Sequence, residues 1–401
     1  MTTQSETNDE TSQGKCPVLH YTDQLQASDA LEHYSRFDEM RERAPFYSGD
    51  IADFVAITRA DHQKEAFLNT SLFSSSSIIH VNPEPDFRWV PVNVDPPQHG
   101  QWRKLLGPLF SPSSVRDRQA NIQKWCTTYL DQLGEEGCEF IEEFAFRYPT
   151  SVFMDLVGFP ASDTAQFLAW EDATVRAPNW ADQAEVSRVV GEILAYFQEY
   201  IAHRRAHPGD DIISQATQWE IDGKAVTDEE IQSLCLLLFM AGLDTVAMQT
   251  SFSFLHLATH PEDQQKLREN PDLAPSTIEE MMRLYSLVAT SRKVTEDVDF
   301  HGVQLHKDQM VWLPLWMSNR DPRLLENPNE AKIDRKNNPN WGFGVGIHRC
   351  LGAHLAREEM RIALVDWHKR FPKYSLDPAF PAPKQRLASN MSLDAIHLKF
   401  G

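Results

Sequence analysis

The segment Phe343–Gly352 constrains the fold more than any other part of the chain. It reads Phe-Gly-Val-Gly-Ile-His-Arg-Cys-Leu-Gly, with three glycines around one cysteine, Cys350. Glycine has no Cβ and tolerates positive φ, so the backbone here can pass close to a bulky group. A helical pattern follows at once, and the N-terminal dipole of that helix would favour a thiolate on Cys350. The alternative is an inert, buried cysteine in a glycine-rich turn.

A helical pattern dominates the rest of the sequence, and strand-like alternation is confined to short pieces. The predicted helices cover 28–43, 97–107, 113–133, 140–157, 183–206, 227–258, 274–286 and 352–370. The predicted strands cover 53–58, 298–304 and 309–314, and long loops rich in Pro and Asn cover 82–97 and 321–340. Neither an internal repeat nor a Gly/Ser linker divides the chain. We therefore expect a mainly α fold in one large domain.

The charge of the chain narrows its possible partners. Lys and Arg number 38 and Asp and Glu 58, which gives a formal net charge of −20 with histidine neutral. Nucleic acid and anionic membrane surfaces would repel so acidic a chain. The longest apolar run, Leu234–Leu243, has ten residues, whereas a membrane span needs about 20. We expect neither nucleic-acid binding nor a membrane span.

The N-terminus and the cysteines indicate the compartment. The first residues are polar and acidic and lack the basic start and apolar core of a signal peptide. We interpret residues 1–20 as a disordered leader and 21–401 as the folded domain. The five cysteines are widely spaced and form no Cys-x-x-Cys pair, which disfavours a disulfide framework and a structural zinc site. A reduced, cytoplasmic location is the expectation.

The cysteine segment resembles the proximal loop of the cytochrome P-450 family, the haem-thiolate monooxygenases, which reads Phe-x-x-Gly-x-His/Arg-x-Cys-x-Gly. The resemblance extends over nearly the whole chain from residue 20 onwards. It implies a helical domain with small β-sheets and with haem b between a long central helix and the cysteine loop. Cys350 matches the thiolate that holds the haem iron and favours cleavage of O₂, the co-substrate. Phe343, Gly344 and Gly352 match loop positions that contact the haem.

The longest predicted helix carries a polar interruption. Its start is marked by the capping-box pattern Thr227-Asp228-Glu229-Glu230. An Asp-Thr pair, Asp244-Thr245, breaks the apolar pattern midway, and by itself such a threonine would bond back to the preceding turn. The resemblance implies that Thr245 assists oxygen activation and that Asp244 relays protons. It also implies that the small pair Ala241-Gly242 leaves room for oxygen over the iron, and that Arg176 pairs with Asp244 as a gate.

Four cationic side chains match family positions that contact the two haem propionates. They are His99, Arg103, Arg292 and His348. His99 and Arg103 lie four residues apart on one helix face, and guanidinium and imidazole groups donate charge-assisted bonds to carboxylates. Each of the four residues alone would more often be a surface residue.

Two further pairs have simpler interpretations. Glu280 and Arg283 share a helix face, and the resemblance makes them a buried structural pair that supports the haem loop. His256 and His260 also lie four residues apart. They have no Glu of a His-Glu-x-x-His motif and no evident third ligand, so we expect surface histidines there, with no metal.

The resemblance also implies an apolar substrate pocket with few polar groups, suited to a small molecule held by shape. The predicted lining residues are Phe87, Trp89, Val92, Leu237, Met240, Val288, Ala289, Asn390 and Met391. The stretches 237–245, 279–288 and 301–305 look most like the soluble bacterial camphor hydroxylases. Phe87 replaces their tyrosine, which bonds the camphor ketone. We therefore expect a terpenoid or norisoprenoid other than camphor.

Electrons must come from separate proteins, because no Gly-x-Gly-x-x-Gly motif of a flavin or nicotinamide domain is present. The resemblance implies a [2Fe–2S] ferredoxin fed by a flavin-dependent reductase. Arg103, Lys104, Arg349 and Arg357 would form a basic patch for this acidic partner. No pattern indicates oligomerisation, so we expect a monomer. A peroxide-driven peroxygenase and a non-enzymatic haem sensor remain alternatives.

Overall fold

The computed structural model describes residues 16–20, 28–29, 32–84, 88–176, 183–387 and 390–401. About half of these residues lie in helices and the strands are short, which confirms the predicted mainly α class. The helices are α1 (Glu32–Arg43), α2 (Ala60–Leu68), α3 (Gln98–Leu106), α4 (Pro112–Asp117), α5 (Gln119–Leu130), α6 (Arg147–Val157), α7 (Thr164–Glu171), α8 (Gln183–Ala206), α9 (Ile212–Ala216), α10 (Asp228–Gly242), α11 (Asp244–Thr259), α12 (Pro261–Glu269), α13 (Ala274–Leu284), α14 (Leu315–Asn319) and α15 (Ala353–Arg370). Short 3₁₀ turns cover Gly107–Phe110, Ala161–Asp163 and Pro271–Leu273, and π turns cover Ile141–Ala145 and Asp172–Arg176.

The strands form small sheets beside the helices. They are β1 (Val18–Leu19), β2 (Ser28–Asp29), β3 (Phe46–Gly49), β4 (Phe54–Ile57), β5 (Phe73–Ser74), β6 (Gly137–Glu139), β7 (Glu220–Ile221), β8 (Lys224–Ala225), β9 (Ala289–Val294), β10 (Val298–Phe300), β11 (Val303–Leu305), β12 (Met310–Pro314), β13 (Tyr374–Leu376), β14 (Lys384–Leu387), β15 (Met391–Leu393) and β16 (His397–Phe400). The largest sheet has the order β1-β3-β4-β12-β9-β5. Val311 of β12 faces Val55 in a parallel pair and Arg292 in an antiparallel one. This register fixes Arg292 on β9, the strand next to the edge strand β5.

The central helical segment, which comprises α10 and α11 (Asp228–Thr259), begins at the predicted capping box. The Thr227 hydroxyl accepts the Glu230 N–H, and the Glu230 carboxylate accepts the Thr227 N–H. The predicted single helix 227–258 is two helices, α10 and α11, because the helical pattern is interrupted at Leu243. Side-chain bonding to the preceding turn, as a threonine can make, often bends a helix. The interruption directly precedes the Asp-Thr pair.

The central segment is strongly apolar, and its burial in the core explains why. Among the described residues, Asp228–Thr259 is the one helical span that is long and apolar enough to cross a membrane. The side chains of α11 are buried from Val246 to Ala258. They pack in the main core with α5, α6, α13 and α15, so a protein core accounts for their apolar character.

The prediction of the helices was incomplete. The helices α2, α7, α9, α12 and α14 were missed, and the predicted strand 298–304 is a hairpin of β10 and β11. Strand β9 was missed although it pairs with both β12 and β5. The predicted loop 321–340 contains neither helix nor strand. Short amphipathic pieces carry too few periods for a pattern to stand out.

The N-terminal boundary lies earlier than predicted. Residues 1–15 of the predicted leader lie outside the described residues. Val18 and Leu19 pair in parallel with Ser48 and Gly49 of β3, so the folded chain includes residues that we assigned to the leader. The sequence alone gives no sign of this, because a two-residue strand has no periodicity.

Candidate active site

The cysteine loop is held in shape by its glycines. Gly344 and Gly346 have φ values of +74° and +79°, which favour glycine because it has no Cβ. A Cβ on Gly346 would lie 2.9 Å from the Phe67 carbonyl oxygen, so the loop packs directly on the end of α2. The Cys350 N–H donates to the Phe343 carbonyl at 2.8 Å. The loop therefore presents Cys350 just before α15.

Cys350 is accessible to solvent, unlike the buried Cys126, Cys138 and Cys235, although protein atoms crowd around its thiol. Burial raises the pKa of Cys350, and the Gly352 N–H and the charges of Arg103 and Arg349 oppose that rise. The other four cysteines are free as well, as predicted. Burial raises the pKa of Cys126, Cys138 and Cys235 strongly, which marks these three as inert thiols.

One face of the central segment is open. Leu237, Met240 and Thr245 are only partly buried, and Ala241 is exposed. These positions recur at helical spacing and so share one face. Leu238 and Leu351, the residue after Cys350, pack against the same small cluster of Phe110, Leu156 and Ile212. This shared contact places the cysteine loop and the central segment around one region.

Gly242 has a different neighbour from Ala241. A Cβ on Gly242 would lie 3.1 Å from the Phe153 ring of α6. The glycine therefore allows close packing of α10 against α6, and the open position of the pair is Ala241.

The Asp-Thr pair occupies the helix interruption. The Thr245 hydroxyl donates to the Ala241 carbonyl at 2.9 Å, the bond to the preceding turn that the sequence suggested. A hydroxyl that donates there still has lone pairs free to accept a hydrogen bond. Asp244 is buried, and Asn390 donates to its carboxylate at 3.4 Å. The side chain of Arg176, the predicted gate, lies outside the described residues.

The four predicted propionate contacts converge although they come from separate elements. The rings of His99 and His348 lie 4.0 Å apart, centroid to centroid. Burial, then the charges of Arg292, His99 and Arg103, lowers the pKa of His348 to about 3. Burial lowers the pKa of Arg292 to about 10. Burial and the charge of Arg103 lower the pKa of His99 to about 4. The four groups thus lie within one another's electrostatic range.

This cluster fits an anionic group. The buried Nε2 atom of His348 has no hydrogen-bond partner among the described residues. A buried polar atom without a partner costs stability unless something binds it. Two arginines and two histidines beside an exposed thiol form the donor set that a haem with two propionates requires.

Comparison with known proteins agrees with this donor set. A family model described as Cytochrome P-450 matches residues 177–375. The "Probable cytochrome P-450 127A1" of Sinorhizobium fredii is 33% identical over 325 residues, 80% of this chain and 77% of that protein. The chain belongs to the cytochrome P-450 family. The "Biotin biosynthesis cytochrome P-450" of Bacillus subtilis is 32% identical, over 86% of this chain and 90% of that protein. The crystal structure of CYP101J2 has a TM-score of 0.88 at 25% identity, over 99% of this chain and 100% of that one.

Membership fixes the cofactor and the class of reaction. Cytochrome P-450 proteins are haem b monooxygenases that use O₂. In this member Cys350 is the residue that would hold the iron, and His99, Arg103, Arg292 and His348 would hold the propionates.

The predicted substrate residues differ in where the structure places them. Trp89, Val92, Leu237, Met240, Val288 and Ala289 are partly exposed, as a pocket lining requires. Phe87 lies outside the described residues. Met391 was wrongly placed in the lining, because it is fully buried in the main core and its sulfur accepts a bond from Gln385. Asn390, next to Met391, bonds Asp244 and pairs through its backbone with Val288.

The predicted buried pair is the centre of a larger network. Glu280 and Arg283 have fully buried side chains and meet at 2.9 Å. Arg335 donates to both Glu280 oxygens at 3.0 Å, and Asn338 adds a bond of 3.1 Å. Sequence analysis missed Arg335 and Asn338. Both residues lie in the long loop 321–340, and long loops in compact domains are often functional. That position was the one sequence signal that could have pointed to them.

The expectation of two surface histidines at 256 and 260 was wrong for His256. His256 is buried, and its ring nitrogens bond the Tyr285 hydroxyl at 2.9 Å and Asp263 at 3.2 Å. Burial, then the nearby His260, lowers the pKa of His256. No metal-ligating cluster of three His, Cys, Asp or Glu residues is found over the described part of the chain.

The predicted basic patch is smaller than expected. Arg357 is paired with Glu279 and lies over the Phe343 ring. Arg103 is partly buried beside Cys350 and His348. Lys104 and Arg349 are exposed and form no ion pair with any residue that the structure describes. They are the patch members with charge available at the surface.

Proposed function

We propose that this cytochrome P-450 hydroxylates a small apolar terpenoid or norisoprenoid other than camphor. The observation that carries the proposal is the partly open apolar face of Leu237, Met240 and Ala241. Val288 and Ala289, which follow the Glu-Arg helix, are also partly open. An apolar lining with few polar groups suits a ligand held by shape. The Bacillus subtilis relative is named for biotin biosynthesis, so substrates differ within the family.

The positions of the chain's own residues support the roles that we propose for them. A bound haem would supply activation of O₂: one oxygen atom enters the substrate and the other leaves as water, with two electrons and two protons consumed. Asp244 would carry protons, and Asn390 supports its carboxylate. Thr245 would accept a hydrogen bond through its free lone pairs while it donates to Ala241. Positioned proton transfer of this kind is worth about 10²–10⁴-fold in rate.

The electron donor we propose is a [2Fe–2S] ferredoxin with a flavin-dependent reductase. Lys104 and Arg349 offer exposed positive charge beside the cysteine loop. Leu68 and Ile347 are 56% and 43% exposed, and Leu68 lies against the loop at Gly346. Apolar side chains with charged neighbours are typical of a specific protein interface. An acidic partner with a small apolar contact would fit this surface.

We further propose that the protein acts as a soluble cytoplasmic monomer. Its net charge of −20 disfavours nucleic acid and anionic lipid surfaces. The apolar central segment is occupied by the protein's own core.

The first experiment is a visible-spectrum titration of the purified haem protein with terpenoids, norisoprenoids and camphor. We expect a shift to high spin with a terpenoid or norisoprenoid and a weaker shift with camphor. Tightest binding of camphor, with hydroxylation at one position, would overturn the substrate proposal. A haem protein without thiolate ligation would overturn the assignment of Cys350.

A second experiment separates the monooxygenase from a peroxygenase, which would not need the Asp-Thr pair. Thr245→Ala should consume reducing equivalents with most of the oxygen released as peroxide, and Thr245→Ser should restore hydroxylation. A peroxygenase would be little affected by Thr245→Ala when peroxide is supplied. A sensor would show no substrate turnover with either oxidant.

A further inference from the structure

A second ion pair lies beside the buried Glu-Arg network. Arg357 of α15 and Glu279 of α13 form a two-point contact, with the second N–O distance at 3.1 Å. Asn340 donates to the same Glu279 carboxylate at 3.1 Å, and Arg357 also donates to the Ala353 carbonyl at 3.3 Å. A planar guanidinium held at several points has little freedom left.

The fixed guanidinium covers an aromatic ring of the cysteine loop. The Arg357 guanidinium carbon lies 4.4 Å from the centroid of Phe343, a cation–π distance. The backbone of Phe343 is in turn hydrogen-bonded to Cys350: the Cys350 N–H donates to the Phe343 carbonyl at 2.8 Å. Contacts therefore run from Glu279 through Arg357 and Phe343 to the cysteine backbone.

We propose that Arg357, held by Glu279, is a positioning residue for the Cys350 loop. It keeps the Phe343 ring in place and with it the cysteine that ligates the haem. The proposal rests on Cys350 being the haem ligand. It replaces the docking role predicted for Arg357, because the charge that docking would use is already paired.

The pair also gives two electrostatic signatures of opposite sign. Arg357→Met leaves the Glu279 carboxylate unpaired near the haem, and a nearby negative charge disfavours uptake of an electron. Glu279→Gln leaves the Arg357 cation unpaired and favours uptake. Both changes loosen the loop, whereas Arg357→Lys keeps the charge and loses the two-point contact and the planar stacking.

The chain offers a matched control on the same helix. Arg361 forms a two-point pair with Glu358 at 2.8 and 2.6 Å. It lies one turn beyond Arg357. Among the described residues, Arg357 stacks on the Phe343 ring of the cysteine loop, and Arg361 makes no such contact. Arg361→Met therefore removes a comparable pair without touching Phe343.

The test uses the ferrous carbon monoxide complex of the haem protein in mild urea. We expect Arg357→Met and Arg357→Lys to lose the thiolate-ligated spectrum about twofold to thirtyfold faster than wild type, the range that one cation–π contact supplies. Arg361→Met should behave as wild type. In redox titrations Arg357→Met should lower the potential and Glu279→Gln should raise it. A tenfold shift in the one-electron equilibrium equals about 59 mV.

The outcomes separate the hypotheses. If both Arg357 variants match the Arg361 control in spectrum and potential, the positioning role is wrong. If Arg357→Met slows only reduction by ferredoxin, Arg357 is a docking residue and the proposal is overturned. If the wild-type protein shows no thiolate spectrum, the ligation of haem by Cys350 fails instead, whatever Arg357 does.

Discussion

Replacing Glu280 with Gln tests the buried network beneath the haem loop. The Glu280 carboxylate is fully buried and accepts bonds from Arg283, Arg335, Asn338 and the Lys332 N–H. The amide of Gln has nearly the same shape, but its nitrogen is a donor that faces other donors. Two arginine cations would then lack their buried counter-charge.

The expected loss can be worked from this geometry. Breaking a buried ion pair by removing one charge costs about 3–5 kcal/mol. At about 1.4 kcal/mol for each factor of ten, the ratio of folded to unfolded protein falls about a hundredfold to a few thousandfold. Glu358→Gln is the control, because its pair with Arg361 is partly exposed and is worth about 1 kcal/mol at most.

The assay is urea unfolding followed by tryptophan fluorescence, with Trp316 and Trp367 fully buried near the network's helices. We expect the midpoint to fall at unchanged slope. Arg335→Met leaves the Glu280–Arg283 pair intact and should lower the free energy of unfolding less than Glu280→Gln does. This variant replaces Glu280→Gln in the assay if the Glu280→Gln protein does not accumulate. A Glu280→Gln midpoint no lower than that of Glu358→Gln would refute the reasoning.

Three further predictions concern the site. Burial and neighbouring guanidinium charges lower the pKa of His99 to about 4, while an unfolded histidine titrates near about 6.5. The haem-free protein should therefore lose stability as pH falls from about 6.5 to about 4, and His99→Gln should flatten this loss in urea midpoints measured against pH. Gly346→Ala should lower the free energy of unfolding by about 1–2 kcal/mol or more, because its Cβ would meet the Phe67 carbonyl at positive φ. Lys104→Glu and Arg349→Glu should slow reduction by an acidic ferredoxin in stopped-flow traces, with unchanged substrate affinity.

The last two of these predictions have matched controls on the same chain. Gly100→Ala lies in a helix with open space around the new methyl group and should stabilise by about 1 kcal/mol. Lys224→Glu changes an exposed charge in the β7–β8 hairpin and should leave the reduction rate unaltered. If pH dependence is the same with and without His99, its depressed pKa does not govern acid stability.

The sequence alone carried the strongest local signals. The cysteine loop, the capping box at Thr227 and the Glu280–Arg283 pair lie within ten, four and four consecutive residues. Their meaning depends on spacing along the chain, and spacing is directly readable. The family, the mainly α class and the haem followed from these local patterns, and the comparisons confirm them.

Only the tertiary structure brought distant residues together. Arg335 and Asn338 reach Glu280 across more than fifty residues, and Arg357 reaches Glu279 across 78. The sequence placed Met391 in the pocket and His256 on the surface, but packing buries both. Burial is set by what folds against a side chain, and two residues adjacent in sequence on a strand point to opposite faces. For that reason Asn390 reaches Asp244 while Met391 turns into the core.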